Sequence, residues 1–435
     1  MKTKSLLLLV LLMGWASTTF AQETLTLEEA IKIALDNNFA IKLAKNELKI
    51  SQTNNSYGNA GMLPSINATL TNSNSTLHTK QTQSNGTVQT VDGAKNSSLI
   101  YGIGLDWTLF DGLKMFAKKE QLQLLEQQGE TQLKMTLLNK ISDVYIAYYD
   151  LVQQQQQIKA QDTALQISQQ RVTTAQNRFT IGKASKLEVL NSQVDWNADH
   201  SIQLKQLEQL ATTKTHLNEL LARDVQIDFQ VSQEVTIDYT LSLDELKKLA
   251  AAQNPDLQNQ IIAKNSAELQ LKQVKAGRYP TVKFNSGYNF THTEASLGFV
   301  TQSQGNGITY GVSAAVPIFN GFNQNRSEKV AKYQLDNATI AIQQQESIVM
   351  SQLTTAFQSY QTNLALVKIE ESNTAIAKQN LDITLAKYKI GTLTSIDFRT
   401  AQLNYIEALV RYSNAQFQTK LYEISLKTLA GNLSM

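Results

Sequence analysis

One long-range duplication constrains this chain more than any other feature. Residues 101–112 read Tyr-Gly-Ile-Gly-Leu-Asp-Trp-Thr-Leu-Phe-Asp-Gly, and residues 310–321 read Tyr-Gly-Val-Ser-Ala-Ala-Val-Pro-Ile-Phe-Asn-Gly, an offset of 209. The same offset aligns Phe179-Thr-Ile-Gly182 with Tyr388-Lys-Ile-Gly391 and Leu220-Leu-Ala222 with Leu429-Ala-Gly431. Upstream the offset is 216: Leu25-Thr-Leu-Glu-Glu29 falls on Leu241-Ser-Leu-Asp-Glu245, and Leu63-Pro-Ser65 on Tyr279-Pro-Thr281. The register changes once, between 65 and 101, so one loop differs in length between the copies. A unit this long is no short solenoid repeat. It predicts a two-fold internal architecture.

Each copy alternates strand-like and helix-like segments. Tyr101, Ile103, Leu105, Trp107 and Leu109 alternate with Gly102, Gly104, Asp106, Thr108 and Phe110; Tyr310, Val312, Ala314, Val316 and Ile318 repeat the pattern. Ile66, Ala68 and Leu70, after Pro64, face opposite Asn67 and Thr69; Val282, Phe284, Tyr288 and Phe290, after Pro280, face opposite Lys283, Asn285 and Asn289. Period-two alternation is the strand signal, and its length suits a tilted strand crossing a membrane. The polar stretches 72–96 and 292–306 read as hairpin connections. That gives four strands per chain.

The helical segments are long. From Asp111 to Thr180 and from Asn320 to Lys389 no proline intervenes, so about seventy residues can run as one helix of roughly 105 Å. Leu137, Val144, Leu151, Ile158, Leu165, Val172 and Phe179 keep a heptad, as do Leu353, Tyr360, Val367, Thr374, Leu381 and Tyr388 with one polar lapse. A seven-residue period imposes left-handed supercoiling on packed helices. Thr26-x-x-Glu29 and Ser242-x-x-Glu245 are capping boxes that open helices running to about Asn59 and Lys275. Returning helices follow Gly182 and Gly391. The organisation expected is a leader 1–21, a first repeat 22–222 (hairpin 63–110, long helix 111–180, returning helix 185–222), a linker 223–241, and a second repeat 242–431 (hairpin 280–319, long helix 320–390, returning helix 394–430).

The leader reading rests on Lys2, Lys4, the apolar run Leu6 to Met13 and Thr19-Phe-Ala21 before Gln22, the pattern of a secretory signal peptide. Removing Lys2 and Lys4 brings the 39 Lys and Arg level with the 37 Asp and Glu, and no basic stripe invites nucleic acid. With no cysteine, disulfides, thiolate metal sites and a lipidated cysteine are excluded, and an exported chain of this kind is held by packing and assembly. Amphipathic strands in lipid have to close into a barrel, since open edges leave backbone groups without partners. Two chains would supply eight strands and three would supply twelve, and barrels of both sizes exist; arithmetic does not choose.

The order of signal peptide, helix, Leu63-Pro-Ser65 turn, hairpin, Phe110-Asp-Gly112 or Phe319-Asn-Gly321, long helix, Ile-Gly turn and returning helix, all duplicated, resembles the TolC family of outer membrane efflux proteins across residues 24–431. The resemblance implies a homotrimer with a twelve-stranded transmembrane β-barrel and a coiled-coil-like periplasmic tunnel. It implies efflux or secretion past the outer membrane of a Gram-negative bacterium, working with a periplasmic adaptor (membrane fusion) protein and an inner-membrane transporter. Asp111, Gly112, Asn320 and Gly321 then mark, with Pro64 and Pro280, the transitions between strand and helix. Asp111 and Asn320 also suit a helix N-cap on their own chemistry.

In that family the tunnel narrows where long and returning helices meet, here around Gly182 and Gly391. The resemblance makes Asp397 the constricting acid and Tyr388 the residue that holds the tip closed, with Glu188 as the first-copy counterpart. Thr400 stands where many members carry a second aspartate, and Leu393 where some carry a basic latch. Three Asp397 carboxylates ringed in a narrow pore would select cations. Ser185-x-x-Glu188 and Thr394-x-x-Asp397 are also capping-box patterns, so each acid serves either as a cap alone or as a cap that also lines the pore.

No enzyme pattern emerges. His78, His200, His216 and His292 form no i, i+4 metal pair; His78 and His292 fall in the two expected hairpin loops. Neither a phosphate loop nor a nucleophile elbow is present, no cofactor is implied, and Asp143 and Asp162 sit on a helix face. The alternative function is an exported coiled-coil scaffold without a pore. It explains the heptads but not the paired strands, whose aromatic residues resemble interfacial girdles.

Overall fold

A computed structural model describes residues 24–298 and 300–433; the expected leader lies outside them. Eight helices and six strands follow in the order β1 (Thr24–Leu25), α1 (Leu27–Asn37), α2 (Phe39–Asn54), β2 (Ser65–Thr82), β3 (Val88–Phe110), α3 (Lys114–Thr180), α4 (Lys186–Leu220), β4 (Gln230–Val231), α5 (Leu243–Gln253), α6 (Pro255–Ala276), β5 (Thr281–Ala295), β6 (Gln302–Ala315), α7 (Asn323–Ile390) and α8 (Ser395–Leu429). Two compact units divide the described residues, and each takes pieces from both duplicated halves. One comprises Asn46–Thr131 and Gln258–Gln344; the other comprises the residues up to Lys45, Gln132–Leu257 and those from Gln345 on.

The first unit is built on a four-stranded antiparallel sheet in the order β2-β3-β5-β6. Its register carries the period-two pattern straight across the sheet. Ile66 pairs with Leu105, Leu105 with Ser286 and Ser286 with Tyr310; the next row on that face is Ala68, Ile103, Tyr288 and Ile308, and the next begins Leu70, Tyr101, Phe290. Tyr101 and Phe290 stack at 5.0 Å between centroids. The opposite face shows Asn67, Gly104, Gly287 and Thr309, then Thr69, Gly102, Asn289 and Gly307. One side of the sheet is thus apolar yet exposed, with Ile66, Leu70, Ile308 and Tyr310 all more than half accessible. A sheet solvated on one face and packed on the other shows the same alternation, but here, among the described residues, the apolar side is left exposed.

The hairpins differ from expectation in extent. The stretches expected as loops, 72–96 and 292–306, are largely strand: β2 and β3 pair out to Thr82 and Val88, and β5 and β6 leave only 296–301 between them. Asn, Ser and Thr on both faces hide the alternation, but ladder bonds are made by backbone and do not require an apolar face. His78 and His292 therefore lie on strands β2 and β5, where they pair with Asp92 and Glu294 respectively. In the other direction β6 stops at Ala315, so Val316 and Ile318 lie outside the strand. Pro317 has no amide to donate to a ladder.

Among the described residues the second unit holds three apolar clusters. The largest joins α1 to the middle of α3 through Ile31, Ala34, Val144, Tyr148 and Leu151, and takes in Leu217, Phe229 and Ile424. A second joins Leu246 and Ala250 to Leu353, Tyr360 and Leu426; the third, with Leu381, Tyr388 and Phe398, lies at the helix turns. Tyr148 donates to the carbonyl of Leu25 (3.1 Å) and accepts from the amide of Ser232 (3.2 Å), fixing the short parallel pair β1–β4.

The single helices expected from Thr26 and Ser242 are each broken once. Asn38, with ψ 129°, interrupts α1 and α2; Asn254, with ψ 120°, interrupts α5 and α6. Both asparagines are buried. Asn38 accepts from the amides of Ala40 (2.9 Å) and Ile41 (3.4 Å) and donates to the carbonyl of Leu220 (2.8 Å). Asn254 accepts from Leu257 (3.0 Å) and donates to the carbonyl of Leu429 (2.9 Å). Each side chain caps the new helix and the end of a returning one together, satisfying groups that a helix terminus leaves open. The Thr26–Glu29 capping box forms, whereas Ser242 makes no side-chain cap bond and the helix relies on Asp244 and Glu245 in its first turn.

Candidate functional site at the helix turns

At Gly182 and Gly391 the long helices end alike. Gly182 (φ 73°) donates to Phe179 at 3.0 Å and Lys183 to Arg178 at 2.7 Å; Gly391 (φ 86°) donates to Tyr388 at 3.0 Å and Thr392 to Lys387 at 3.0 Å. This paired bonding around a left-handed residue is the Schellman motif, which glycine occupies without steric cost. The returning helices then open on Ser185 and Thr394, whose hydroxyls accept from the amides of Glu188 and Asp397, both at 3.2 Å.

The two acids then part company. Asp397 completes a capping box: its carboxylate accepts from the Thr394 amide (3.3 Å) and hydroxyl (2.7 Å) and stays exposed. Glu188 leaves its own backbone and turns across to the other long helix. Tyr388 donates its hydroxyl to Glu188 Oε1 at 3.2 Å, and Arg178 Nη1 approaches the same oxygen at 3.7 Å. The Tyr388 ring is 1 % exposed, stacks on Phe398 at 5.2 Å and 3°, and carries the Arg178 guanidinium at 5.4 Å from its centroid. Burial first, and the Glu188 charge second, push the phenol above its ordinary range, so it stays a neutral donor at physiological pH. Thr400 is exposed and donates to the carbonyl of Ile396 (3.1 Å). A cleft of about 730 Å³ between the starts of α4 and α8 brings Glu188, Asp397, Thr400 and Gly391 together with Arg178 and Asp195.

The transition residues lie in the sheet-bearing unit. Asp111 accepts from the Met115 amide (3.1 Å) and Asn320 from the Gln324 amide (3.3 Å), so each caps the helix three residues on from its own position. Between cap and helix the chain passes through two left-handed residues, Gly112-Leu113 (φ 73° and 69°) and Gly321-Phe322 (φ 65° and 61°). Gly112 is also steric: a Cβ there would lie 2.5 Å from the carbonyl oxygen of Ala276. Pro64 and Pro280 immediately precede β2 and β5, where a missing amide takes no bond from the ladder.

What the sequence did not signal is a buried polar network beside the turns. Asp199, Ser168, Gln402 and Arg171 are each 3 % exposed or less. Arg399 clasps Asp199 through two 2.7 Å bonds, and Arg171 pairs with Asp195. Position 168 on α3 falls on a line with Gln161, Ala164, Arg171 and Ala175, and it is this line that is buried. The apolar heptad read from the sequence leaves the core beyond Leu151: Ile158, Leu165 and Val172 are half-buried and Phe179 is exposed. On α7 the expected heptad stays buried at Leu353, Tyr360, Val367, Leu381 and Tyr388. A second heptad, Ile369, Ile376, Ile383 and Ile390, lies at least half exposed on the same helix. Among the described residues no group of three His, Asp or Glu side chains could hold a metal, and no helix is long and apolar enough to cross a membrane.

Comparison with known proteins agrees with the geometry. The family model described as outer membrane efflux protein matches residues 30–223 and 246–432. The chain is 21 % identical over 378 residues to outer membrane protein TolC of Escherichia coli, covering 81 % of this chain and 73 % of that one. It is 21 % identical over 441 residues to outer membrane efflux protein BepC of Brucella suis, covering 98 % and 89 %. Among solved structures, the outer membrane protein VceC of Vibrio cholerae superposes with a TM-score of 0.77 at 17 % identity (93 % and 96 % covered), and the CmeC outer membrane channel of Campylobacter jejuni with 0.79 at 16 % (93 % and 85 %).

Proposed function

Since the chain belongs to the outer membrane efflux protein family, we propose that three copies close into a passive duct through the outer membrane of a Gram-negative bacterium. The observation that carries this reading is the sheet. Among the described residues it is apolar on one exposed face and polar on the other, and β2 and β6 are its edges, each paired on one side. In hydrocarbon each open backbone group costs several kcal/mol, so β6 of one copy pairs with β2 of the next. Three copies give twelve strands with a polar lumen. The exposed Ile369, Ile376, Ile383 and Ile390 seam supplies a second contact between copies, as a heptad stripe does in a coiled coil.

In this reading the helices extend into the periplasm, and the turns at Gly182 and Gly391 form the end that meets a periplasmic adaptor and an inner-membrane pump. The duct supplies no energy; substrate choice and drive belong to those partners. The repeats 22–222 and 242–431 act as the two halves of each protomer. The Tyr388–Glu188 bond ties the second long helix to the first returning helix and holds the end narrow, and Asp397 contributes a ring of carboxylates beside Thr400. The scaffold alternative explains the helices and leaves the uncovered sheet face without a role.

The test is the mass of the detergent-solubilised protein by native mass spectrometry, beside Ile376→Lys and Ile383→Lys. A three-copy assembly that weakens when either lysine enters the seam is expected. A stable monomer, or a trimer indifferent to both lysines, would contradict the assembly as drawn.

A further inference from the structure

Among the described residues three that are not glycine adopt left-handed backbone, and two of them are Leu113 (φ 69°) and Phe322 (φ 61°). Any side chain with a Cβ is strained in that region, and a bulky one there is an outlier. Glycine, which holds the preceding position in both turns, is free of that cost. Yet the duplication places a large apolar residue at the same point twice, 209 residues apart. Packing does not repay the strain, since Leu113 is 59 % and Phe322 69 % exposed. Strain of this kind concentrates where a side chain has to be presented for function.

Both turns meet the end of α6. The Ala276 carbonyl lies against Gly112, and Gln324 donates to the Val274 carbonyl at 2.7 Å. The apolar face of the sheet runs on past β6 toward the same place. Val312, Val316 and Ile318 keep its period and are all more than half exposed, and Phe319 meets Phe322 edge to face at 5.4 Å. Directly beyond the turns the surface becomes basic. Lys114 follows Leu113, and Arg326, Lys329 and Lys332 follow Phe322; all four are exposed. Glu328, the acid between Phe322 and Lys332, is bound to Arg278. An apolar rim backed by exposed cations matches the section of a lipid leaflet, acyl chains first and anionic headgroups next.

We propose that Leu113 and Phe322 are membrane anchors: their turns hold them in the inner leaflet of the outer membrane, while Lys114, Arg326 and Lys329 bind its anionic phospholipid headgroups. The inference rests on the duct reading above, which puts the sheet in lipid and the helices in the periplasm. It names a lipid partner for that reading and fixes the depth at which the chain sits. Acyl chains around the two side chains supply the burial that the fold withholds. Each lysine or arginine at an anionic surface adds about fivefold in affinity.

The chain has no cysteine, so a single introduced cysteine can carry an environment-sensitive fluorophore. Leu113→Cys, Phe322→Cys, Ile308→Cys on the apolar sheet face and Ser84→Cys at the tip of the first hairpin are labelled in the full-length protein. Each is reconstituted into vesicles of phosphatidylcholine and phosphatidylglycerol. Spin-labelled lipid should quench the labels at 113, 322 and 308 and iodide should not; the label at 84 should behave in the opposite way. Iodide reaching 113 and 322 with 308 shielded would overturn the anchors and leave the duct standing. Iodide reaching 308 as well would reject both. If Leu113→Cys and Phe322→Cys do not assemble, Ile318→Cys carries the test, and failure of all three would mark the turns as folding elements and reject the anchoring role. Native mass spectrometry reads the headgroups. Wild type should retain phosphatidylglycerol over phosphatidylcholine, and Arg326→Gln with Lys329→Gln should lower that preference about fivefold or more. Equal retention of both lipids by wild type, or a preference that survives the two glutamines, would refute the anionic partner.

Discussion

Replacing Tyr388 by Phe removes one hydroxyl and nothing else from the proposed gate. The ring still fills its site, stacks on Phe398 and lies under Arg178. What is lost is a 3.2 Å donation to Glu188, whose side chain is 20 % exposed and keeps Arg178 at 3.7 Å, together with the hydrogen bond the hydroxyl shares with Ser395. A hydrogen bond to a charged acceptor is worth about 1.5–3 kcal/mol. Partial solvation and the remaining Arg178 place this one at the lower end, about 1.5 kcal/mol, or roughly tenfold in the balance of closed and open states. The assay is open probability in a planar bilayer, with Tyr388→Ala as companion. The alanine removes a fully buried ring and costs about 3–5 kcal/mol, so it should open the duct further than Phe does. If Phe gates like wild type while Ala opens, the stacked ring holds the turn and the hydrogen-bond reasoning is wrong.

Asp397→Asn keeps an oxygen for the Thr394 cap and removes the charge, so cation selectivity should fall while thermal stability changes little; unchanged selectivity would leave Asp397 as a helix cap. Asn254→Ala strips partners from the part-buried Leu429 carbonyl and the buried Leu257 amide, which should destabilise the fold by about 2–4 kcal/mol, and a melting temperature equal to wild type would contradict that. Hydrogen bonds from Thr240, together with Lys427, hold the Asp238 carboxyl down to about 2. A lowered folded-state pKa contributes stability above the ordinary carboxylate value and loses it as pH falls through about 2. The advantage of wild type over Asp238→Asn in thermal unfolding should therefore be full at pH 6 and close between pH 4 and pH 2; a gap independent of pH would refute the assignment.

Local chemistry made much of this molecule legible. Gly182 and Gly391 announce their turns because only glycine takes φ near +80° freely, and Asp111 and Asn320 announce caps because their side chains bind helix amides wherever backbone allows. The apolar alternation around Ile103 and Tyr288 revealed the sheet face. Polar strand ends such as Ser73 to Ser75 did not reveal themselves, since backbone pairing leaves no trace in side-chain character. The breaks at Asn38 and Asn254 were hidden for a related reason: each is stabilised by a carbonyl about 180 residues away. The Arg399–Asp199 network was equally silent, because Arg, Asp, Ser and Gln on a helix read as a solvated face until the partner helices are in place. Glu188 and Asp397 look equivalent in sequence, and only the reach of Glu188 to Tyr388 separates them.

Single-channel recording of the wild-type protein in a planar bilayer reads out conduction itself. Discrete, cation-selective steps that need neither nucleotide nor partner are expected of a passive duct narrowed by carboxylates. A folded, membrane-inserted trimer that never conducts would contradict the account and return the chain to the scaffold reading.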